Sequence, residues 1–331
     1  MVTDMKKRII LLITAILVCT LLMTACGKKQ SAEITHSKSN SSAYKGSADK
    51  DESDSPYAVE NRYDIPEEMF EKRAGTDYGK LLKDVSYDST VAGDKKQVNI
   101  LLPAGYDETK TYPVTYVFHG FGGDHNTHLD TDSYLVLLYG NMLSDGIAVP
   151  QIIVGMDMYT DKLADKDGKS DEELRYIYDK AIEETAIDLM PFIEKNYPVK
   201  KGRENAAVVG MSEGGAKSLC TGFRWLDKFG YIGSFAPDTG VIPTEYYKGT
   251  FWNTPVFEEF PQPTKENTPI YLYMAVGTED PWNIDCTLYY RDVLNDMGVK
   301  NQTDYVEGYG HDSDFWGQCF YNFLAKTFQY R

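Results

Sequence analysis

The segment 206–215 has the residue types and the spacing of a serine nucleophile. It reads Ala-Ala-Val-Val-Gly-Met-Ser-Glu-Gly-Gly, so a G-x-S-x-G pattern directly follows an apolar strand pattern and directly precedes a helical one. In that context the chain makes a tight strand-to-helix turn that exposes the serine hydroxyl. Side chains at Gly210 and Gly214 would collide with the neighbouring backbone of such a turn. Ser212 is therefore predicted to be a nucleophile for covalent catalysis.

A serine hydroxyl needs a base, and the base needs an acid that orients it. Only one of the five histidines, His311, lies downstream of Ser212, in a glycine-flanked loop after the last strand pattern. The acid is expected between these two residues, where the strand pattern 270–276 leads into Asp280. Asp280 is the predicted acid, and the neighbouring Glu279 is the alternative.

A negatively charged intermediate would also need two backbone N–H donors. One is predicted to come from Glu213, directly after the nucleophile. The other is predicted to come from the segment 119–123, His-Gly-Phe-Gly-Gly, whose glycines let the backbone approach a substrate. Phe121 or Gly122 would donate there, and His119 is predicted to be structural and not catalytic.

Aromatic side chains are available to bind a substrate, since the chain has 25 Tyr and four Trp. Trp252, Trp282 and Trp316 are candidates for stacking on an aromatic group or a sugar. Trp282, two residues after the predicted acid, is the best placed. Trp316 and Gly122 complete the predicted substrate contacts, and a position in the core is the alternative for each tryptophan.

No metal and no cofactor is predicted. The acidic stretch 165–171 lacks the full spacing and the terminal Glu of a calcium loop. No paired cysteine motif indicates a structural zinc site. One polar cluster is interpreted as a solvated loop and not as a metal site; it consists of His125, His128, Asp130 and Asp132.

Short apolar runs alternate with helical patterns in the part of the chain that must position these groups. The predicted strands are 83–87, 97–102, 114–118, 151–156, 206–209, 231–235, 270–276 and 303–306. The predicted helices are 134–145, 172–196, 216–225, 284–297 and 313–328. A hairpin followed by strand–helix alternation predicts an α/β fold, with a mostly parallel central sheet and helices on both faces. Ligands bind beyond the carboxyl ends of such strands, where the candidate groups lie.

The chain of 331 residues is strongly acidic, with a formal net charge of −16 and a pI near 4.8. Nucleic acids and acidic membrane surfaces attract clustered Lys and Arg and repel a polyanion. Nucleic acid is therefore excluded as a predicted partner.

The N-terminus resembles that of a bacterial lipoprotein. Three basic residues at 6–8 precede an uncharged run, 9–23, which is too short to span a membrane comfortably. The run ends in Leu-Met-Thr-Ala-Cys-Gly, with small residues before Cys26 as in a lipobox. Residues 1–25 are therefore predicted to be a signal peptide, and 26–56 a lipidated Cys26 with a flexible linker. This predicts an extracytoplasmic protein anchored in the bacterial cell membrane, with an uncleaved anchor or ordinary secretion as alternatives.

Residues 57–331 are predicted to form one catalytic domain, because no second low-complexity segment and no internal repeat interrupts them. Three cysteines fall in this part, Cys220, Cys286 and Cys319. An oxidising compartment permits one disulfide among them, but nothing in the sequence requires it.

Several segments resemble carbohydrate esterase family 1, the feruloyl and acetylxylan esterases, within a wider esterase D-like group. They extend over nearly all of 80–331 and comprise 119–124, 188–198, 202–205, 229–235, Trp316 and 321–324. The resemblance implies an α/β-hydrolase fold with eight or nine strands and no large lid. It also implies a serine carboxylic-ester hydrolase that acts on feruloyl or acetyl groups of plant cell-wall polysaccharide such as xylan.

Two alternatives to hydrolysis stay open. An acyltransferase of the mycolyltransferase type would use the same three residues but pass the acyl group to a sugar. A non-catalytic carbohydrate-binding lipoprotein is opposed by the intact nucleophile, acid and base. One position departs from the family pattern, because Glu213 stands where members commonly have Met or Gln. Its carboxylate is expected to point away from the oxyanion or to meet a sugar hydroxyl.

Overall fold

The computed structural model describes residues 55–329, so the predictions on the signal peptide, Cys26 and most of the linker lie outside it. In this part of the chain one eight-stranded sheet has the order β1-β2-β4-β3-β5-β6-β7-β8. The strands are β1 (Lys80–Ser89), β2 (Asp94–Leu102), β3 (Val114–Phe118), β4 (Ile152–Met156), β5 (Ala206–Met211), β6 (Tyr231–Phe235), β7 (Tyr271–Gly277) and β8 (Gln302–Val306). Strand β2 pairs antiparallel with β1 and β4, and the other neighbours are parallel. The predicted sheet is confirmed.

Helices cover both faces of this sheet. They are α1 (Tyr134–Ser144), α2 (Asp171–Asp179), α3 (Ala181–Glu184), α4 (Met190–Asn196), α5 (Glu213–Arg224), α6 (Ile284–Asp296) and α7 (Ser313–Lys326). Short 3-10 turns lie at Glu67–Met69, Leu163–Asp165, Arg203–Asn205 and Phe251–Asn253. Helices α1 and α7 contribute to one hydrophobic core, and α2 to α6 contribute to the other. None of the helices between residues 55 and 329 is both long and apolar enough to cross a membrane.

The central strands supply both cores because successive side chains of a strand point to opposite faces. In β5, Val208 packs into one core and Val209 into the other. In β7, Leu272 likewise packs into the first core and Tyr273 into the second. All residues of β7 are buried, which explains why the central strands are near-continuous apolar runs.

The prediction of one continuous α-helix over 172–196 was wrong, because this segment is interrupted. A π-helical turn, Thr185–Leu189, separates α3 from α4. Pro191 lies in the first turn of α4. Proline has no N–H to donate, and its ring crowds the carbonyl group four residues earlier, so a regular α-helix does not continue through this point.

Candidate active site

Ser212 occupies a strained turn between β5 and α5. Its φ is 55° and its ψ is −124°, a region that residues other than glycine rarely adopt. A Cβ at Gly210 would lie 2.4 Å from the carbonyl oxygen of Gly214, and a Cβ at Gly214 would lie 2.3 Å from that of His119. Both positions therefore require glycine. The Ser212 N–H donates to the Phe235 carbonyl oxygen at 2.8 Å, which ties the turn to the end of β6.

Asp280 and His311 meet at the carboxyl end of the sheet. His311 Nδ1 lies 2.7 Å from Asp280 Oδ2. The other oxygen, Oδ1, accepts the backbone N–H groups of Trp282 and Asn283, each at 2.9 Å. Burial raises the pKa of Asp280, but the hydrogen bond from His311 and these N–H groups outweigh it and hold the pKa below its ordinary value. An ionised carboxylate in this position keeps a proton on Nδ1 and leaves Nε2 to accept one.

Glu279, the alternative acid, is exposed and joins the site through its backbone. Its N–H donates to the Tyr309 carbonyl oxygen at 2.9 Å. This close approach requires Gly277, where a Cβ would lie 2.0 Å from the same oxygen. The loops after β7 and β8 are thereby held together, and the structure places Asp280 against the imidazole.

Ser212 and His311 open into a pocket of about 400 Å³ with mainly aromatic walls. Its lining consists of Phe121, Ser212, Asp238, Tyr247, Trp252, Trp282, Asn283 and His311. A concave site with apolar walls and few polar groups is the usual form of a small-molecule site. Asp238, Tyr247 and Asn283 were not predicted from the sequence. For Asp238 a signal existed, because it follows β6 at the same edge of the sheet.

The two predicted tryptophan contacts have different surroundings. Trp282 is 57% exposed, and its ring centroid lies 5.1 Å from that of His311 in an edge-on arrangement. Trp316 is only 5% exposed, and its ring lies 4.8 Å from the imidazole. Trp316 is absent from the pocket lining and supports the histidine from the core, so its position corresponds to the core alternative and not to a stacking surface.

The structure separates the two candidate oxyanion donors in the loop after β3. The Gly122 N–H is directed at the Tyr178 hydroxyl, and Gly122 does not line the pocket. Burial raises the pKa of Tyr178 to about 12, so this hydroxyl is neutral. Phe121 lines the pocket, so of the two candidates it is the one that borders Ser212. Glu213 is the first residue of α5, so its N–H has no acceptor within the helix.

The Glu213 side chain turns away from the pocket into a buried ion cluster. It is fully buried, pairs with Arg175 of α2, and lies 2.9 Å from Lys217 one turn along α5. Lys217 also pairs with Asp179. Burial raises the pKa of Glu213, but the two cations outweigh it, and the net effect lowers the pKa. Of the two orientations expected from the sequence, the carboxylate adopts the one that points away from the oxyanion.

Arg175, which the sequence did not single out, links three parts of the site. Besides Glu213, its guanidinium contacts the carbonyl oxygens of Thr239 at 2.5 Å and Trp252 at 3.4 Å, in the connection between β6 and β7. Gly240, with a φ of 96°, makes room for it, since a Cβ there would lie 1.7 Å from Arg175 Nη2. Arg175 therefore holds one wall of the pocket against α5, the helix that follows Ser212.

Replacing Arg175 with methionine is expected to lower the free energy of unfolding by about 3–5 kcal/mol, because Glu213 would stay buried without its main cation. Arg224→Met is the matched control, since Arg224 pairs with Glu183 at 3.4 Å in a partly exposed position. Its loss is expected to cost less than about 1 kcal/mol. Urea unfolding of both variants measures the difference, and equal losses would contradict the prediction.

The histidines after β3 are buried and individually bonded. His119 Nε2 accepts a backbone N–H at 2.9 Å, which agrees with a structural role. His125 Nε2 lies 2.9 Å from Asp84 Oδ1, and His128 Nδ1 lies 2.8 Å from the Tyr134 hydroxyl. The interpretation of these two histidines as part of a solvated loop was wrong, because these partners cover them. No group of three or more His, Cys, Asp or Glu between residues 55 and 329 is arranged to hold a metal ion.

Cys220, Cys286 and Cys319 are buried free thiols, so the disulfide that the sequence permitted is not formed among them. Burial raises the pKa of the Cys220 thiol to about 12, which leaves it protonated and unreactive.

Comparison with known sequences identifies the relatives of this chain. The family model described as "Putative esterase" matches residues 89–319. An endo-1,4-beta-xylanase/feruloyl esterase from Xylanibacter ruminicola is 25% identical over 281 residues, which are 82% of this chain and 35% of that protein. Endo-1,4-beta-xylanase Y from Acetivibrio thermocellus is 24% identical over 172 residues, which are 49% of this chain and 14% of that protein. The chain thus spans about a third of the first relative's length and less of the second.

Comparison with solved structures gives a consistent result. A feruloyl esterase module from Clostridium thermocellum is 16% identical to this chain, with a TM-score of 0.59. The match covers 82% of this chain and 95% of the module, and it shows that the two share a fold. A CE1 ferulic acid esterase from the anaerobic fungus Anaeromyces mucronatus is 31% identical with a TM-score of 0.72. The match covers 82% of this chain and 98% of the fungal one. The chain therefore belongs to the "Putative esterase" family and, within it, to the group of the CE1 ferulic acid esterases.

Proposed function

We propose that this protein is a serine carboxylic-ester hydrolase that removes feruloyl groups from plant cell-wall xylan. The observation that carries the proposal is the hydrogen-bonded Asp280–His311 pair, which shares an aromatic-walled pocket with Ser212. A feruloyl ring can bury its faces against Phe121 and Trp252, whereas an acetyl group is too small to use these walls. The fungal relative has been solved in complex with ferulic acid, which supports the same class of acyl group here.

In the proposed mechanism, His311 removes the Ser212 proton as Oγ attacks the ester carbonyl carbon. Asp280 holds the imidazole and stabilises its charged form. The N–H groups of Glu213 and Phe121 bind the oxyanion, and the N-terminus of α5 adds positive potential. The imidazolium then protonates the leaving sugar oxygen. Water, activated by the same imidazole, hydrolyses the acyl-enzyme, so these steps use no cofactor.

A substrate panel tests the proposal. The purified protein should hydrolyse methyl ferulate and feruloylated arabinoxylan with a kcat/KM about tenfold or more above that for acetylated xylan, because ring burial stabilises the bound acyl group. Mass spectrometry of the products separates free ferulate from feruloyl groups transferred to a sugar. Faster release of acetate would replace feruloyl with acetyl as the preferred acyl group, and no hydrolysis of any ester would refute the proposal.

We infer further that the protein is lipid-anchored through Cys26 outside the cytoplasm. The support lies in the sequence, where basic residues at 6–8, an apolar run 9–23 and small residues before Cys26 follow one another. An extracytoplasmic position also fits the proposed substrate, since a cell-wall polysaccharide is too large to enter a cell.

Replacing Cys26 with serine is expected to abolish the incorporation of labelled fatty acid, because the oxygen cannot replace the lipidated thiol. The protein should then appear in the medium or stay unprocessed. Cys19→Ser is the matched control, since that residue lies within the segment to be removed. Fatty-acid labelling of the Cys26→Ser protein at the wild-type level would overturn the inference. A chain that begins at Tyr57 should stay soluble and keep its activity on methyl ferulate.

A further inference from the structure

The Asp238 carboxyl lies beside the nucleophile on a backbone that is fixed on both sides. Its N–H donates to the Ser212 carbonyl oxygen at 3.1 Å. Its own carbonyl oxygen accepts the Tyr290 hydroxyl of α6 at 3.2 Å. The side chain therefore projects from a rigid point between the nucleophile turn and α6, and it lines the pocket.

One oxygen of this carboxyl is bonded and the other is open. Oδ1 accepts the Thr239 N–H at 2.7 Å, but in the described part of the chain no group donates a hydrogen bond to Oδ2. The neighbouring polar side chains of the pocket are occupied, since Tyr247 and Asn283 donate to backbone carbonyl oxygens at 3.4 and 2.8 Å. Oδ2 is thus left as a hydrogen-bond acceptor for whatever enters the pocket.

Burial makes the negative charge of Asp238 costly. Burial raises the pKa of Asp238 to about 6, Glu213 adds to the increase, and Arg175 and Lys217 oppose it. Because the pKa of Asp238 is higher in the folded protein than the ordinary value of 3.8, this group contributes most to stability at a pH below 3.8. The contribution is lost as the pH rises through about 6, where the buried carboxyl ionises. At neutral pH the carboxylate is therefore ionised, and a donor group on a ligand would stabilise its charge at Oδ2.

We propose that the Asp238 carboxylate accepts a hydrogen bond from a hydroxyl group of the substrate and thereby selects hydroxylated esters. The inference rests on the proposed esterase function and adds a specificity-determining residue to it. Two parts of a feruloylated sugar carry such a hydroxyl, namely the phenol of the acyl group and a sugar hydroxyl near the ester. Both are neutral donors that fit an acceptor-only carboxylate in an aromatic pocket.

The test compares Asp238→Asn with the wild-type full-length protein in detergent. Asparagine keeps the shape but can present an N–H where Oδ2 accepted a donor. Asp296→Asn, at the exposed end of α6, is the charge-matched control. One substrate pair is methyl p-coumarate and methyl cinnamate, which differ in the phenol. The other pair is feruloyl-arabinose and methyl ferulate, which differ in the sugar.

If the phenol is the donor, Asp238→Asn lowers the kcat/KM ratio of coumarate to cinnamate by about tenfold or more and leaves the second ratio unchanged. If a sugar hydroxyl is the donor, the ratio of feruloyl-arabinose to methyl ferulate falls instead. Both ratios within twofold of wild type would overturn the inference, while an inactive wild-type protein would overturn the esterase proposal itself. Asp238→Ser provides the same ratios if the asparagine variant does not fold.

Discussion

Alanine at position 212 is expected to lower kcat for methyl ferulate by about 10³-fold or more, leaving only the effects of substrate binding and the oxyanion donors. The substitution removes Oγ and keeps the Cβ, so the strained turn with φ of 55° should persist unchanged. The Ser212 N–H would still bond the Phe235 carbonyl oxygen. Steady-state kinetics and the loss of the acyl-enzyme burst measure the effect.

The matched control for this variant is Ser144→Ala, since Ser144 is exposed at the end of α1 and does not line the pocket. The Ser144→Ala protein should keep full activity. Unfolding by urea should show equal stability for both variants within about 0.5 kcal/mol, because neither substitution disturbs packing. A Ser212→Ala protein that retains more than about a tenth of the wild-type rate would exclude Ser212 as the nucleophile.

Asparagine in place of Asp280 is expected to lower kcat by about 10⁴-fold. The carboxylate accepts His311 Nδ1 at 2.7 Å, and an amide nitrogen in that place would favour the imidazole tautomer that cannot take the serine proton. The remaining amide oxygen can still accept the two backbone N–H groups at 282 and 283. The fold should therefore change little, which circular dichroism and urea unfolding would verify.

Glu279→Gln is the matched control for the acid, because it makes the same chemical change one residue away on the same loop. The side chain of Glu279 is exposed and its backbone N–H alone bonds the histidine loop, so the activity should stay within about tenfold of wild type. A reversal of the two phenotypes would make Glu279 the acid and would remove Asp280 from the proposed mechanism.

The sequence alone determined the features that short segments carry. The turn around Ser212 lies within the ten residues 206–215. Everything that this turn requires is local, namely an apolar strand, glycines at 210 and 214, and the start of a helix. The parallel sheet followed from the alternation of apolar runs and helical patterns, since burial on both faces requires apolar residues along each central strand. The interruption of the helix at 185–189 does not follow from the apolar pattern, because that pattern continues through the π-helical turn while Pro191 disrupts the backbone hydrogen bonds.

Only the tertiary structure decided which side chains face the pocket, because that depends on segments far apart in sequence. Asp280 lies 31 positions from His311, and packing of the two loops places its carboxylate, and not that of Glu279, against the imidazole. Arg175 lies 38 positions before Glu213 in the sequence, and its ion pair holds the Glu213 side chain away from the pocket. No local sequence pattern indicates this interaction. The packing around a tryptophan decides whether it forms a pocket wall or part of the core. The packing around Asp238 likewise decides whether one of its carboxyl oxygens stays open to the pocket. Burial and hydrogen-bond partners are properties of the assembled fold.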